Sequence, residues 1–121
     1  MREKEDLFKD VKSINFEVVC ENFAYDWDMF QFSLRIFKDN YLDAYTVLEN
    51  KLNEGNQEDL HRLIHSLKGA FNQVGAYDLG MYFLDLEQEV SEGNLDKVQN
   101  ELGIIKEKIA ELIEDIEKLS E

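Results

Sequence analysis

Between Gln57 and Val74 the apolar residues Leu60, Ile64, Leu67, Phe71 and Val74 recur at spacings of four, three, four and three, and Leu63 widens the stripe. That period predicts an amphipathic helix with one buried face. The chain has no proline anywhere, so nothing of that kind interrupts the helical patterns on either side.

Turn chemistry divides the chain. Glu54-Gly55-Asn56 and Glu92-Gly93-Asn94 each place a glycine where a helix can end and an asparagine where the next can be capped. Gly75 ends the helix that carries Leu60 to Val74 in the same way. Helices are expected near residues 27 to 54, 57 to 74, 77 to 92 and 95 to 119, with a kink around Asp39-Asn40. Phe16 to Phe23 reads as a short helix, and residues 3 to 12 form another or fray. Short connections imply antiparallel neighbours. The expected fold is therefore all-α: an up-and-down antiparallel four-helix bundle with one or two short additional N-terminal helices, in a single domain over residues 1–121.

At 121 residues and 44% hydrophobic content the chain can bury a modest core. The first residues, Met1-Arg2-Glu3-Lys4-Glu5-Asp6, lack the apolar segment of a signal peptide, and Met81 to Leu84 is the longest apolar run. A cytoplasmic protein with no membrane association is expected. The single Cys20 has no partner for an internal disulfide and reads as a half-buried structural cysteine. A net charge of −14 opposes nucleic-acid binding, which needs lysine and arginine against phosphate. From Asp85 to Glu121 twelve acidic residues face four lysines, a solvated outer face of the last helices. Among Phe23, Tyr25, Trp27, Phe30, Phe32 and Phe37 most should be core, and the pattern does not decide which are exposed.

A second stripe runs along the helix of residues 57 to 74. At about 100° per residue, His61, His65, Lys68 and Asn72 lie roughly 120° from the centre of the apolar face, which turns His65 towards solvent. Lys68 and Gly69, three and four residues on, flank His65 on the next turn. The lysine supplies charge and the glycine supplies space. A mid-helix glycine costs about 1 kcal/mol against alanine, so something must approach the backbone there: a reacting group, or simply another helix.

The run His65-Ser66-Leu67-Lys68-Gly69-Ala70-Phe71, followed by Val74-Gly75-Ala76, then Leu79, then Leu86-Glu87, resembles the histidine-containing phosphotransfer (HPt) domains of phosphorelays. The ordered series spans 23 residues. The resemblance implies that His65 accepts a phosphoryl group from an aspartyl phosphate on a receiver domain and passes it to another receiver, with Nε2 as the attacking atom. It further implies that Lys68 offsets the phosphate charge, that Gly69 gives steric access and that Glu87 can orient the histidine ring. An exposed imidazole titrates near a pH of about 6.5, so a neutral nucleophile is present without a dedicated base. The implied partners are receiver domains of response regulators or a hybrid sensor histidine kinase, met by a monomer. No cofactor is expected on this chain; Mg2+ is expected on the receiver, which makes this protein a phosphate carrier more than an enzyme.

Two other classes compete. Glu58-Asp59-Leu60-His61 fits the E-x-x-H pattern of di-iron bundles, and His61 with His65 could share a zinc ion. A di-iron site needs a second such segment, and zinc needs two further ligands. The other class is a non-catalytic adaptor on the same scaffold, whose signature would be loss of His65. A sensor kinase would need an ATP-binding domain and a glycine-rich phosphate loop, which 121 residues do not supply.

Overall fold

The computed structural model describes all residues, 1–121. A 3-10 helix, Arg2–Phe8, is followed by α1 (Phe16–Asn22), α2 (Trp27–Tyr41), α3 (Ala44–Glu54), α4 (Gln57–Gln73), α5 (Tyr77–Ser91), α6 (Leu95–Asn100) and α7 (Leu102–Leu119), with no strand. The helices form a bundle in which α4 lies mainly against α5 and also against α3, while α3 reaches α7. Every helix contributes to one cluster of 27 buried hydrophobic residues, from Phe8 to Leu119. The apolar stripe of α4 is wholly inside it: Leu60, Ile64, Leu67, Phe71 and Val74 are all buried.

Helix ends follow the turn residues in part. Gly55, Gly75 and Gly93 adopt φ of 73°, 86° and 85°, the left-handed conformation that closes a helix at little cost only for glycine. Asn56 caps α4 through Oδ1, which accepts from the Asp59 amide at 3.0 Å. Asn94 does not cap α6; its side-chain amide instead donates to Glu89 Oε2 at 2.7 Å.

Two expected long helices are each divided. The segment 27 to 54 breaks at Leu42-Asp43, three residues beyond the expected kink, and 95 to 119 breaks at Glu101. In both cases the apolar face continues in phase: Phe37, Tyr41, Ala44, Leu48 and Leu52 in the first, Leu95, Val98, Leu102, Ile105 and Ile109 in the second. A break that preserves phase leaves no trace in periodicity. At Glu101 the carboxylate accepts from the Tyr82 hydroxyl and from Lys97 Nζ. Burial and the Glu101 carboxylate together push the Tyr82 phenol well above its ordinary pKa.

The N-terminal segment forms a 3-10 helix and is pinned rather than frayed. Phe8 is buried against Phe16, with ring centroids 5.0 Å apart. Asp115 of α7 accepts from the amides of Lys12 and Ser13 at 3.1 and 2.9 Å and from Ser13 Oγ at 2.6 Å. Asn15 N donates to the Gly75 carbonyl at 3.1 Å. Cys20 is completely buried rather than half-buried, because α1 turns it inwards and the turn that follows folds back onto its carbonyl, which accepts from Tyr25 N at 3.0 Å.

Gly75 combines two constraints. Its φ is left-handed, and a Cβ would stand 2.6 Å from Val19 Cγ2 and 3.3 Å from Ile14 Cγ2. Gly75→Ala is therefore expected to lose roughly 2–4 kcal/mol, from the left-handed backbone and from overpacking. Urea denaturation would read this as a lower midpoint at unchanged slope, and an unchanged midpoint would show that the α4–α5 turn relaxes freely.

Candidate functional site: an exposed histidine on α4

α4 is fixed on one side by its buried stripe, so the opposite side is presented outwards and carries His65 with 66% of its side-chain area exposed. The ring is nevertheless held. His65 Nδ1 lies 2.5 Å from Glu87 Oε2, and the other oxygen of the same carboxylate, Oε1, accepts from Lys68 Nζ at 2.7 Å. Glu87 reaches both because α5 packs directly along α4.

Burial works to raise the Glu87 carboxyl pKa, but hydrogen bonds from Lys68 and then His65 outweigh it and hold the group below its ordinary range. Glu87 is thus ionised at neutral pH and can only accept. Nδ1 must then carry the proton of the neutral imidazole, and Nε2, which makes no hydrogen bond, keeps the free lone pair.

Gly69 lies one turn beyond. A Cβ at this position would meet nothing within 4 Å, so no helix crosses α4 there and close packing does not account for the glycine. Gly69 instead borders two open grooves. One, of about 320 Å³, runs between α2 and α4 past Ile36, Phe37 and Tyr41; the other, of about 350 Å³, lies by Asn22, Phe23 and Asn72.

The close approach between helices occurs at Gly80, which the sequence did not single out. A Cβ at Gly80 would fall 1.9 Å from Asn72 Oδ1. The usable signal was a glycine inside the helical pattern of residues 77 to 92.

His61 lies one turn before His65 and beside a different groove, lined by Asn56, Gln57, Glu58 and Ser91. No three His, Cys, Asp or Glu side chains are gathered where they could hold a metal ion. Glu58 instead pairs with Arg62 at 2.7 Å, and His65 Nδ1 is occupied by Glu87.

The aromatics divide. Phe30 and Phe37 are core, Phe23 and Trp27 are half-buried, and Tyr25 and Phe32 are exposed. No helix is long and apolar enough to cross a membrane.

A helical bundle that displays one carboxylate-tethered imidazole beside a lysine and an open glycine has the parts of a group-transfer carrier. Residues 33–120 match the model of the Hpt domain family, and the chain belongs to that family. No curated protein and no solved structure matches it. Membership makes the protein a histidine phosphotransfer module of a phosphorelay, a phosphoryl carrier that works with receiver domains. The matched span begins inside α2 and leaves out the 3-10 helix, α1 and the first residues of α2.

Proposed function

We propose that His65 is the residue that carries the phosphoryl group and that Nε2 is the atom that bonds to it. The observation that supports this reading is the Nδ1 contact with Glu87, which leaves Nε2 as the one free nitrogen lone pair on an otherwise exposed ring. The lone pair attacks the phosphorus of an aspartyl phosphate on a receiver. An N–P bond forms, the P–O bond to the aspartate breaks, and the aspartate leaves as a carboxylate. Nδ1 keeps its proton throughout, so the ring becomes cationic and the Glu87 carboxylate faces that new charge. Transfer to the next receiver runs the same steps in reverse.

The phosphoryl group brings about −1.5 to −2 charges. Lys68 follows His65 by three residues, and its ammonium is held by the same Glu87 carboxylate that contacts the ring; Arg62, three residues before, pairs with Glu58 instead. Gly69 leaves the approach to the ring open. Phosphoryl transfer depends mainly on positioning and on cations, and this acidic chain supplies one lysine. The divalent ion, Mg2+, and most of the catalysis belong to the receiver in this reading, with the exchange taking place in the cytoplasm.

Phosphorylated protein examined by 31P NMR should show a single phosphohistidine with phosphorus coupled to the ring protons as expected for substitution at Nε2. Phosphate on Nδ1, or on any residue other than His65, would overturn the assignment. Lys68→Ala should slow transfer or shorten the phosphohistidine lifetime by about tenfold, the equivalent of one charged hydrogen bond of about 1.5 kcal/mol. Unchanged transfer and lifetime would remove Lys68 from the site.

A further inference from the structure

Asn72 stands seven residues after His65 on α4, and Gly80 stands seven residues before Glu87 on α5. Seven residues are about two helical turns, or about 10 Å of rise. In the antiparallel pair α4–α5 one register therefore carries two cross-helix contacts: Asn72 against Gly80 near the connecting turn, and His65 against Glu87 two turns further from it.

Gly80 is buried, and the first contact depends on its missing side chain. A Cβ there would stand 1.9 Å from Asn72 Oδ1, 2.7 Å from Cγ and 3.2 Å from Nδ2. Spinning the amide about its last bond does not clear this space, because the position of Cγ depends on χ1 alone. Relief needs either a new χ1 rotamer, of which a helix allows few, or a parting of α5 from α4. Gly69, where a Cβ would meet nothing, has no such constraint.

Resting on the reading of His65 as the phosphoryl carrier, we infer that Gly80 is a positioning residue for that reaction: by leaving room for Asn72 it lets α5 approach α4 to the distance at which Glu87 reaches His65 Nδ1.

The surrounding contacts define what a side chain at Gly80 moves. The Asn72 carbonyl accepts from Asn22 Nδ2 at 2.8 Å, which ties that turn of α4 to α1, so α5 is the helix that yields. At the other end of α5 Gln57 Nε2 donates to the Val90 carbonyl at 2.7 Å. A wedge at Gly80 thus tilts α5 about its Val90 end, and Glu87, which lies between the two, shifts off the ring. That shift is smaller than the one at Gly80, but a hydrogen bond weakens steeply with distance and angle.

The test is 15N NMR of the ring nitrogens in the full chain at about pH 9, where an imidazole is neutral, together with transfer from a purified receiver domain loaded with phosphoramidate. In the wild type His65 should report one tautomer, with the proton on Nδ1, and His61 should report the mixture of an untethered ring. Gly80→Ala should move the His65 shifts towards those of His61 and slow transfer by about tenfold, less than the hundredfold that a full 1 Å misplacement costs. Asn72→Ala alone should leave both readouts unchanged. Gly80→Ala/Asn72→Ala should restore both, since the three atoms nearest the new Cβ are gone. A weakened helix does not produce this pattern, because alanine is a better helix former than glycine and shortening Asn72 adds no contact at the ring. If Gly80→Ala alone fails to fold, as circular dichroism would show, the double variant still decides, for it keeps a Cβ at residue 80 and should hold the Nδ1–H tautomer. A single Nδ1–H tautomer in Gly80→Ala, with Asn72 turned aside, overturns the inference, and so does an untethered ring in the double variant. Failure of the phosphorylated receiver to label His65 in the wild type is a separate result, which sinks the phosphoryl-carrier reading while the tautomer pattern stands or falls by itself.

Discussion

His65→Gln should abolish phosphorylation by a phosphorylated receiver, to below about a thousandth of the wild-type level, because the amide that replaces the ring has no nucleophilic lone pair to form an N–P bond. Wild-type label should be lost in acid and kept in alkali, as expected for a phosphoramidate bond. The fold should be indifferent. His65 is largely solvent-exposed and contributes one contact, with Glu87, and exposed substitutions of this kind stay within about 0.5 kcal/mol. Far-ultraviolet circular dichroism and the denaturation midpoint should therefore match the wild type. His61 is the internal control, being the only other histidine and one turn earlier on the same helix. No carboxylate fixes its tautomer, so His61→Gln should label normally. Full labelling of His65→Gln, or loss of label in His61→Gln alone, would move the reaction to the other ring.

What the sequence discloses and what it hides have a common physical origin. The α4 stripe, the outward direction of His65 and the glycine helix ends depend on residues within one or two turns of each other, and such local patterns are legible. The breaks at Leu42-Asp43 and Glu101 are equally local, yet they leave the apolar phase intact and so escape periodicity. The pinning of residues 9 to 15 depends on Asp115 and Gly75, about 100 and 60 residues away, and no nearby residue signals it. At the site, the resemblance pointed to Glu87 as a group able to orient the histidine ring. The part that required three dimensions is the sharing of that one carboxylate between His65 and Lys68, since it depends on α5 lying along α4 in a particular register, with Gly80 against Asn72.

That shared carboxylate carries the second large effect. In the free protein Lys68 neutralises Glu87, and Glu87 in turn holds Nδ1–H. Glu87→Ala releases both the ring and the ammonium. Misplacement of a reacting group by about 1 Å costs on the order of a hundredfold, so transfer from a receiver should fall by about ten- to a hundredfold. Glu87→Gln keeps an acceptor oxygen for Nδ1–H but removes the charge that faces the cationic phosphorylated ring, and it should fall between the wild type and alanine.

The acid dependence follows from the lowered Glu87 pKa. A carboxyl held below its unfolded value contributes stability that is fully present above the ordinary carboxylate pKa and is lost as pH falls through the lowered folded value. Glu87 therefore stays ionised, and the His65 contact intact, throughout the neutral and mildly acidic range. Between about pH 5 and 8 the wild-type transfer profile should contain no step from Glu87. The difference in stability between wild type and Glu87→Ala should narrow only below the ordinary carboxylate range. Comparing transfer rates and urea midpoints of the three proteins across pH tests both statements. Equal transfer by wild type and Glu87→Ala would show that the imidazole reacts without being held.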